Sequence, residues 1–218
     1  MLLILVVCVG VKAPAQTANV RTDSCSVIQE AGKGIYSMLN SYIAYMANPQ
    51  NSLETRRYYK AEAQQLFIND CNPFTEIVEF EDGTKEVIPR EGAIIDMVSL
   101  RNMRPQKIII KMYFNGLIHM NYKYVEIGTA DIIDMRVSKL EPYDVDPEGK
   151  RLYVCSVYFD HLLTGVTPEG RICQEIRHKW VVCHVKVEEV QDPTSGETYN
   201  EFMVKFGDIY VESIEKLW

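Results

Sequence analysis

The sequence lacks the features of several large protein classes. Its 218 residues contain no apolar run of the roughly 18 to 20 residues that a membrane-spanning helix needs. The net charge is -7, and no cluster of Lys and Arg interleaved with aromatic residues offers a basic surface for phosphate, so nucleic acid is not an expected partner. A Gly-rich phosphate loop, a nucleophile elbow and a His-Glu-x-x-His sequence are also missing, which excludes the common nucleotide-binding, hydrolase and metalloprotease classes.

The cysteines do not form a metal-binding or disulfide-scaffold pattern. None of the six stands in Cys-x-x-Cys or another zinc spacing, so neither a metal nor a cofactor is expected. If Cys8 is removed with a leader, an odd number remains, which cannot all pair within one chain. These five are Cys25, Cys71, Cys155, Cys173 and Cys183.

The N-terminal residues predict export. Met1 to Val11 form a short apolar stretch, and Ala13-Pro14-Ala15 suits signal-peptidase cleavage after Ala15, although the usual charged leading region is missing. We expect a signal peptide over 1–15, a polar lead over 16–24, one domain over 25–218, and a periplasmic or secreted location. A buried N-terminal strand and a lipid anchor at Cys8 are the alternatives.

Two helices are predicted next. Apolar residues recur at three- and four-residue steps from Cys25 to Ala47, and Asp23 or Ser24 would cap this helix. A second helix begins at Ser52 and ends near Asp70. An antiparallel helix pair would bring residue 25 back toward the low 70s, so a disulfide between Cys25 and Cys71 is expected.

The remainder of the chain predicts mostly strands. Residues 76–80 and 84–88 surround Asp82-Gly83 as a hairpin, and a short helix is expected from Pro89 to Leu100. Segments rich in β-branched and aromatic residues follow at 108–114, 118–127, 132–137 and 199–214, together with a long hairpin over 151–188. Helices first and strands afterwards predict an α+β fold, with a two-helix hairpin and a short helix packed on a strongly curved antiparallel sheet.

The long hairpin has a predictable register. Pro168 and Gly170 favour a three-residue loop with a glycine bulge, which would place Thr167 opposite Arg171. Cys155 would then face Cys183 at a hydrogen-bonded site, where the geometry disfavours a disulfide, and we expect two free, buried thiols. The opposite face would carry Asp160 opposite His178.

That second face is the candidate site. Asp160 could orient His178 as a general base. The alternative is a structural role, in which the two residues form an ion pair at the rim of the sheet. The residues expected to line a pocket beside this pair are Tyr158, Trp180, His184, Val182 and Ser156. Burial in an aromatic core is the alternative role for Tyr158 and Trp180. On the other face of the hairpin, we expect the charged half, with Lys179, Arg177 and Glu175, to be exposed to solvent.

The order of elements resembles the nuclear transport factor 2-like (SnoaL-like, cystatin-like cone) superfamily over roughly residues 25 to 215. The resemblance implies a curved sheet wrapped around the helices, with a cavity between the first helices and the concave face. The N-terminal pattern makes the chain similar to exported members common in Bacteroidetes. The superfamily includes isomerases, dehydratases and proteins that only bind or dimerise, so the fold does not choose among these functions.

The sequence predicts an exported binding or interaction module with a small cavity. Its partner would be a small molecule or a protein, and no catalytic activity is identifiable from the residues. The alternatives are a small-molecule lyase or isomerase that uses His178 with Asp160, and a homodimer that associates through the open sheet face.

Overall fold

The fold is α+β, as the order of elements predicts. The structure is a computed structural model, which describes residues 13–14, 20–80, 82–98, 105–119, 124–128, 136–145, 150–166 and 169–217. The helices are α1 (Val20–Ala47), α2 (Leu53–Gln65) and α3 (Ile110–Ile118), with a 3-10 turn at Ile68–Cys71. The strands are β1 (Ala13–Pro14), β2 (Phe74–Glu79), β3 (Lys85–Arg90), β4 (Ile94–Val98), β5 (Pro105–Ile109), β6 (Tyr124–Gly128), β7 (Arg136–Val137), β8 (Glu141–Val145), β9 (Arg151–Val166), β10 (Ile172–Gln191) and β11 (Thr198–Lys216).

The β9–β10 hairpin has the predicted register. Asp160 lies opposite His178 and Cys155 opposite Cys183, with no shift from Ile172 to Lys186. Gly170 has a φ of 84°, which a glycine adopts without steric cost. Thr167 lies outside the described residues, so the predicted closing pair with Arg171 stays a prediction.

The large sheet has the order β5-β4-β11-β10-β9-β6, and β1, β7 and β8 pair with its long strands. Its neighbours are antiparallel except for β4 and β11, which run parallel. The sheet is therefore mixed where a purely antiparallel sheet was expected, and it is not closed. Helices α1 and α3 pack on one face, where the core includes Val157, Val181 and Phe206.

Two predicted elements are wrong between residues 89 and 118. The segment that begins at Pro89 is not a helix, because Gly92 has a φ of 141° and the following residues pair as β4. The strand expected over 108–114 ends at Ile109, where α3 begins. The buried residues of α3 are Ile110, Phe114, Leu117 and Ile118, and this helical spacing was obscured by the β-branched run that precedes it.

The helix pair forms as expected, but its boundaries differ. The Ser52 hydroxyl accepts a hydrogen bond from the Thr55 amide at 3.0 Å and caps α2, which starts where the second helix was predicted. In contrast, α1 begins at Val20 rather than after Asp23 or Ser24, since no Gly or Pro interrupts the helix there and an acidic residue is favoured in a first turn. Arg56 of α2 donates to the carbonyl oxygens of Met46 at 2.7 Å and Leu117 at 3.4 Å, which joins the ends of all three helices.

The predicted disulfide between Cys25 and Cys71 is not formed in this structure. Cys71 is a buried free thiol, and its Sγ lies 3.9 Å from the carbonyl oxygen of Gln64. The sequence predicts a second helix that continues to near Asp70, but α2 ends at Gln65, and the stretch of α1 from Cys25 to Ala47 is longer than all of α2. Cys155 and Cys183 are free and buried, as predicted.

The small hairpin β2–β3 forms its own two-stranded sheet and is anchored to the large sheet through Asp208 of β11. Arg90 donates to Asp208 at 2.6 Å and to Glu76 at 2.7 Å. The carboxylate of Asp208 also accepts bonds from the Ile94 amide at 2.9 Å and the Tyr210 hydroxyl at 3.1 Å. One carboxylate therefore holds β3, β4 and β11 together.

We expect Asp208→Ala to lower the free energy of unfolding by about 2 to 4 kcal/mol, because Arg90 and two further donors would lose a largely buried acceptor. Urea denaturation measures the change. Lys205→Ala is the matched control, since it breaks the Asp70–Lys205 pair, which is about half exposed and should contribute less than about 1 kcal/mol, without placing an alanine at the positive φ of Asp70. Equal losses in the two variants would contradict this role of Asp208.

Candidate functional site

The predicted site residues lie together on the face of the large sheet that points away from the helices. Tyr158, Trp180 and His184 are half-buried there, and Val182 and Ser156 lie between them on β10 and β9. The ring of His184 lies across Gly207, where a Cβ atom would come within 2.8 Å of its Nε2. We call this surface, away from the helices, the outer face. The predicted register correctly placed these five residues on one face.

The aromatic residues of this outer face contact one another across the strands. Trp180 stacks on Tyr210 with centroids 4.1 Å apart, and Tyr158 lies 6.4 Å from Trp180 on the other side. The row is flanked by two cations, with Arg136 5.9 Å from the ring of Tyr158 and Lys107 5.5 Å from the ring of Tyr210. Because the rings contact one another and the cations lie against both ends, the row stabilises the sheet.

The predicted catalytic pair is formed and exposed. His178 Nδ1 lies 2.6 Å from Asp160 Oδ1, and Nε2 lies 3.4 Å from Glu215 Oε1. The hydrogen bond with Asp160 raises the pKa of His178, against a smaller effect of burial. With a carboxylate at each ring nitrogen and about half of the Asp160 side chain in solvent, the group has the geometry of an ion cluster at the sheet surface.

A cavity lies on the other side of the sheet. It is bounded by α1, α3 and the sheet face that meets the helices, and β9 and β10 contribute Phe159, Lys179 and Val181, the neighbours of the predicted pocket residues. The space open to the centre of a water molecule is about 20 Å³. That volume admits a water molecule or a ligand of very few heavy atoms.

Four polar side chains enter this otherwise apolar cavity. Tyr36 and Asn40 come from successive turns of α1, Tyr113 comes from α3, and Lys179 comes from β10. The apolar lining residues are Leu39, Ile43, Phe67, Ile95, Ile110, Phe114, Phe159, Val181, Phe206 and Ile209. A few polar groups among apolar walls are typical of small-molecule sites.

Asn40 is the least satisfied of the four. Its side chain is 7% exposed, and neither Nδ2 nor Oδ1 has a hydrogen-bond partner among the described residues. A buried amide without partners costs about 1 to 3 kcal/mol. The cavity therefore presents a donor and an acceptor that a bound molecule could satisfy.

Among the lysines whose side chains the structure describes, Lys179 is the only buried one, at 8% exposure. Burial, helped by the charge of Arg177 and opposed by that of Glu175, lowers its pKa to about 7. Glu175 is buried at 1% exposure and pairs with Arg177 two residues away on the same face. The prediction that the charged half of this face is solvated is therefore wrong for Lys179 and Glu175.

Sequence reasoning did not find the cavity residues. The alternating pattern of β10 defines two faces but does not say which one meets the helices, and a face with Lys and Glu resembles a solvent face. Asn40 gave a detectable signal, since it lies on the apolar side of α1 between Tyr36 and Ile43. A polar residue within an apolar helical stripe indicates either a buried hydrogen bond or a ligand contact.

Within the described ranges, no group of three His, Cys, Asp or Glu side chains is placed to hold a metal ion. No helix of these ranges is long and apolar enough to cross a membrane. Comparison of the chain with protein-family models, curated proteins and solved structures finds no match. The site must therefore be interpreted from its own geometry.

We expect Trp180→Ala to destabilise the protein by about 2 to 4 kcal/mol, because the ring is packed between Tyr158 and Tyr210. His178→Ala should cost less than about 1 kcal/mol, since the ion cluster that it breaks is exposed to solvent. Thermal and urea unfolding of both variants beside wild type provide the measurement. A larger loss for His178→Ala than for Trp180→Ala would reverse the assignment of roles on the outer face.

The stability of the protein should depend on pH through Lys179. Its pKa is about 7 in the folded protein and 10.5 in an ordinary environment. Between these values the unfolded chain holds a proton that the folded protein does not, so wild type loses stability as the pH falls from about 10 to about 7. Lys179→Met lacks this amine. The free energy of unfolding of the variant minus that of wild type should therefore increase as the pH falls from about 10 to about 7, and stay constant below that range. A constant difference in urea unfolding between pH 10 and pH 7 would disprove the assignment.

Proposed function

We propose that the protein is an exported binding module of the nuclear transport factor 2-like type, which holds a small neutral molecule in the cavity between α1, α3 and the sheet. The observation that carries this proposal is the Asn40 amide, which is buried in the cavity wall without a partner among the described residues. Export rests on the N-terminal sequence pattern, and the superfamily assignment rests on the order of elements. The position of the cavity, between the first helix and the sheet, agrees with that resemblance.

The chemistry of the lining selects the kind of ligand. Apolar side chains surround most of the cavity, Arg177 is already paired with Glu175, and burial favours the neutral form of Lys179, so a neutral ligand suits the lining better than an anion. A neutral molecule with one acceptor and one donor would satisfy both Nδ2 and Oδ1 of Asn40. Small amides and hydrated carbonyl compounds have this combination.

An enzymatic function for His178 and Asp160 is the second candidate. Their 2.6 Å contact is the arrangement that would orient an imidazole for proton transfer. The exposure of both side chains and the contact of Nε2 with Glu215 favour a surface ion cluster. A pH-dependent lyase or isomerase activity that disappears in His178→Ala and persists in Asn40→Leu would favour the enzyme.

The binding proposal predicts that formamide enters the cavity. With three heavy atoms, its binding free energy cannot exceed about -4.5 kcal/mol, so Kd should be near 1 mM or weaker. In methyl NMR spectra, formamide should shift the methyl signals of the lining residues Ile43, Ile95 and Val181 in a saturable manner, while those of the exposed Val87 stay unchanged.

Asn40→Leu is the matched control, because leucine has a similar size and cannot hydrogen bond. It should fold and lose the saturable shifts. Shifts of the same size in Asn40→Leu, or no shift of the three lining methyl groups in wild type, would contradict the proposal.

A further inference from the structure

We propose that the ε-amine of Lys179 captures small aldehydes in the cavity as a reversible imine, with the Asn40 amide holding the carbonyl oxygen. This inference rests on the proposed function, because it uses the same cavity and gives its ligand a chemical class. It adds a covalent step that binding alone does not require.

The two reacting groups approach the cavity from opposite walls. Lys179 projects from β10 in the sheet, and Asn40 projects from α1, which packs on that sheet. A carbonyl compound between them would have a nucleophile on one side and a hydrogen-bond donor on the other. This is the arrangement that imine formation at a lysine needs.

The amine is available for attack near neutral pH. Burial lowers the pKa of Lys179 to about 7, so a large share of the side chain is neutral there. The ionisable groups near it are Glu175 and Arg177 on its own strand, Tyr36 on α1 and Tyr113 on α3. Burial raises the pKa of Tyr36, so this hydroxyl stays protonated and brings no charge to the cavity.

Asn40 can hold both the aldehyde and the first adduct. Its Nδ2 donates to the carbonyl oxygen and polarises the carbon, and its Oδ1 accepts from the hydroxyl of the carbinolamine. Neither atom makes a well-aligned hydrogen bond among the described residues, and the nearest polar neighbour that acts on Asn40 is the Tyr36 hydroxyl, whose pKa the amide lowers against the larger effect of burial. The adducts are neutral, which suits a cavity with mainly apolar walls.

The reaction balances without a further reagent. The lone pair of Nζ forms a bond to the aldehyde carbon, and a proton moves from nitrogen to the former carbonyl oxygen to give the carbinolamine. The hydroxyl then leaves with the remaining amine proton as water, and a carbon–nitrogen double bond remains. The cavity of about 20 Å³ limits the aldehyde to two or three heavy atoms.

Reductive trapping tests the inference on the full chain. Acetaldehyde and sodium cyanoborohydride are added at pH 7 for short times, and peptide mass spectrometry follows ethylation of each lysine. Lys179 should be modified at least about tenfold faster than Lys205, which is half exposed and paired with Asp70. Modification of Lys179 at or below the rate of Lys205 would overturn the inference.

Two variants complete the test. Asn40→Leu should slow ethylation of Lys179 at least about tenfold and leave Lys205 unchanged, whereas an unchanged rate at Lys179 would remove the role of Asn40. Lys179→Met should still show the formamide-induced methyl shifts, since it retains Asn40. If those shifts persist while Lys179 is not trapped in wild type, binding stands and the imine is refuted. If neither the formamide-induced shifts nor the trapping of Lys179 is observed, the binding proposal and the imine proposal both fail.

Discussion

The register of β9 and β10 is the constraint on which the site depends. Side chains alternate between the faces of a sheet, so a slip of one residue would move Lys179 to the outer face and bring Trp180 beneath the helices. Gly170, in the connection between these strands, has a positive φ of 84°. The buried charges and the outer aromatic row are therefore consequences of a single register.

Irregularities in β11 adapt this hairpin to the rest of the sheet. Between the pairs Val181–Ile209 and Cys183–Phe206, β11 has one more residue than β10. This bulge allows Phe206 and Ile209 both to face the core while Asp208 points outward to Arg90. The same bulge leaves Gly207 beneath His184, where a side chain would have no room.

The sequence predicted those parts of the fold that local chemistry determines. The start of the second helix at Ser52, the Asp82-Gly83 hairpin and the β9–β10 register depend on neighbouring residues, and all three agree with the structure. The region from Pro89 to Ile118 failed because its short apolar segments suit either helix or strand, and tertiary pairing decides between them. Which face of β10 meets the helices is likewise decided by tertiary packing. For this reason Lys179 and Asn40 could not be assigned to a cavity from the sequence.

The anchoring of the small hairpin at Asp208 has a consequence for motion. Its far end carries the exposed side chains of Ile77, Phe80 and Val87, while the contacts through Arg90 hold only the end near the large sheet. Segments with few buried apolar contacts open at a lower free energy than the whole domain. The β2–β3 hairpin should therefore behave as a separate unit of local unfolding, whose amide hydrogens exchange with solvent while the long strands stay protected.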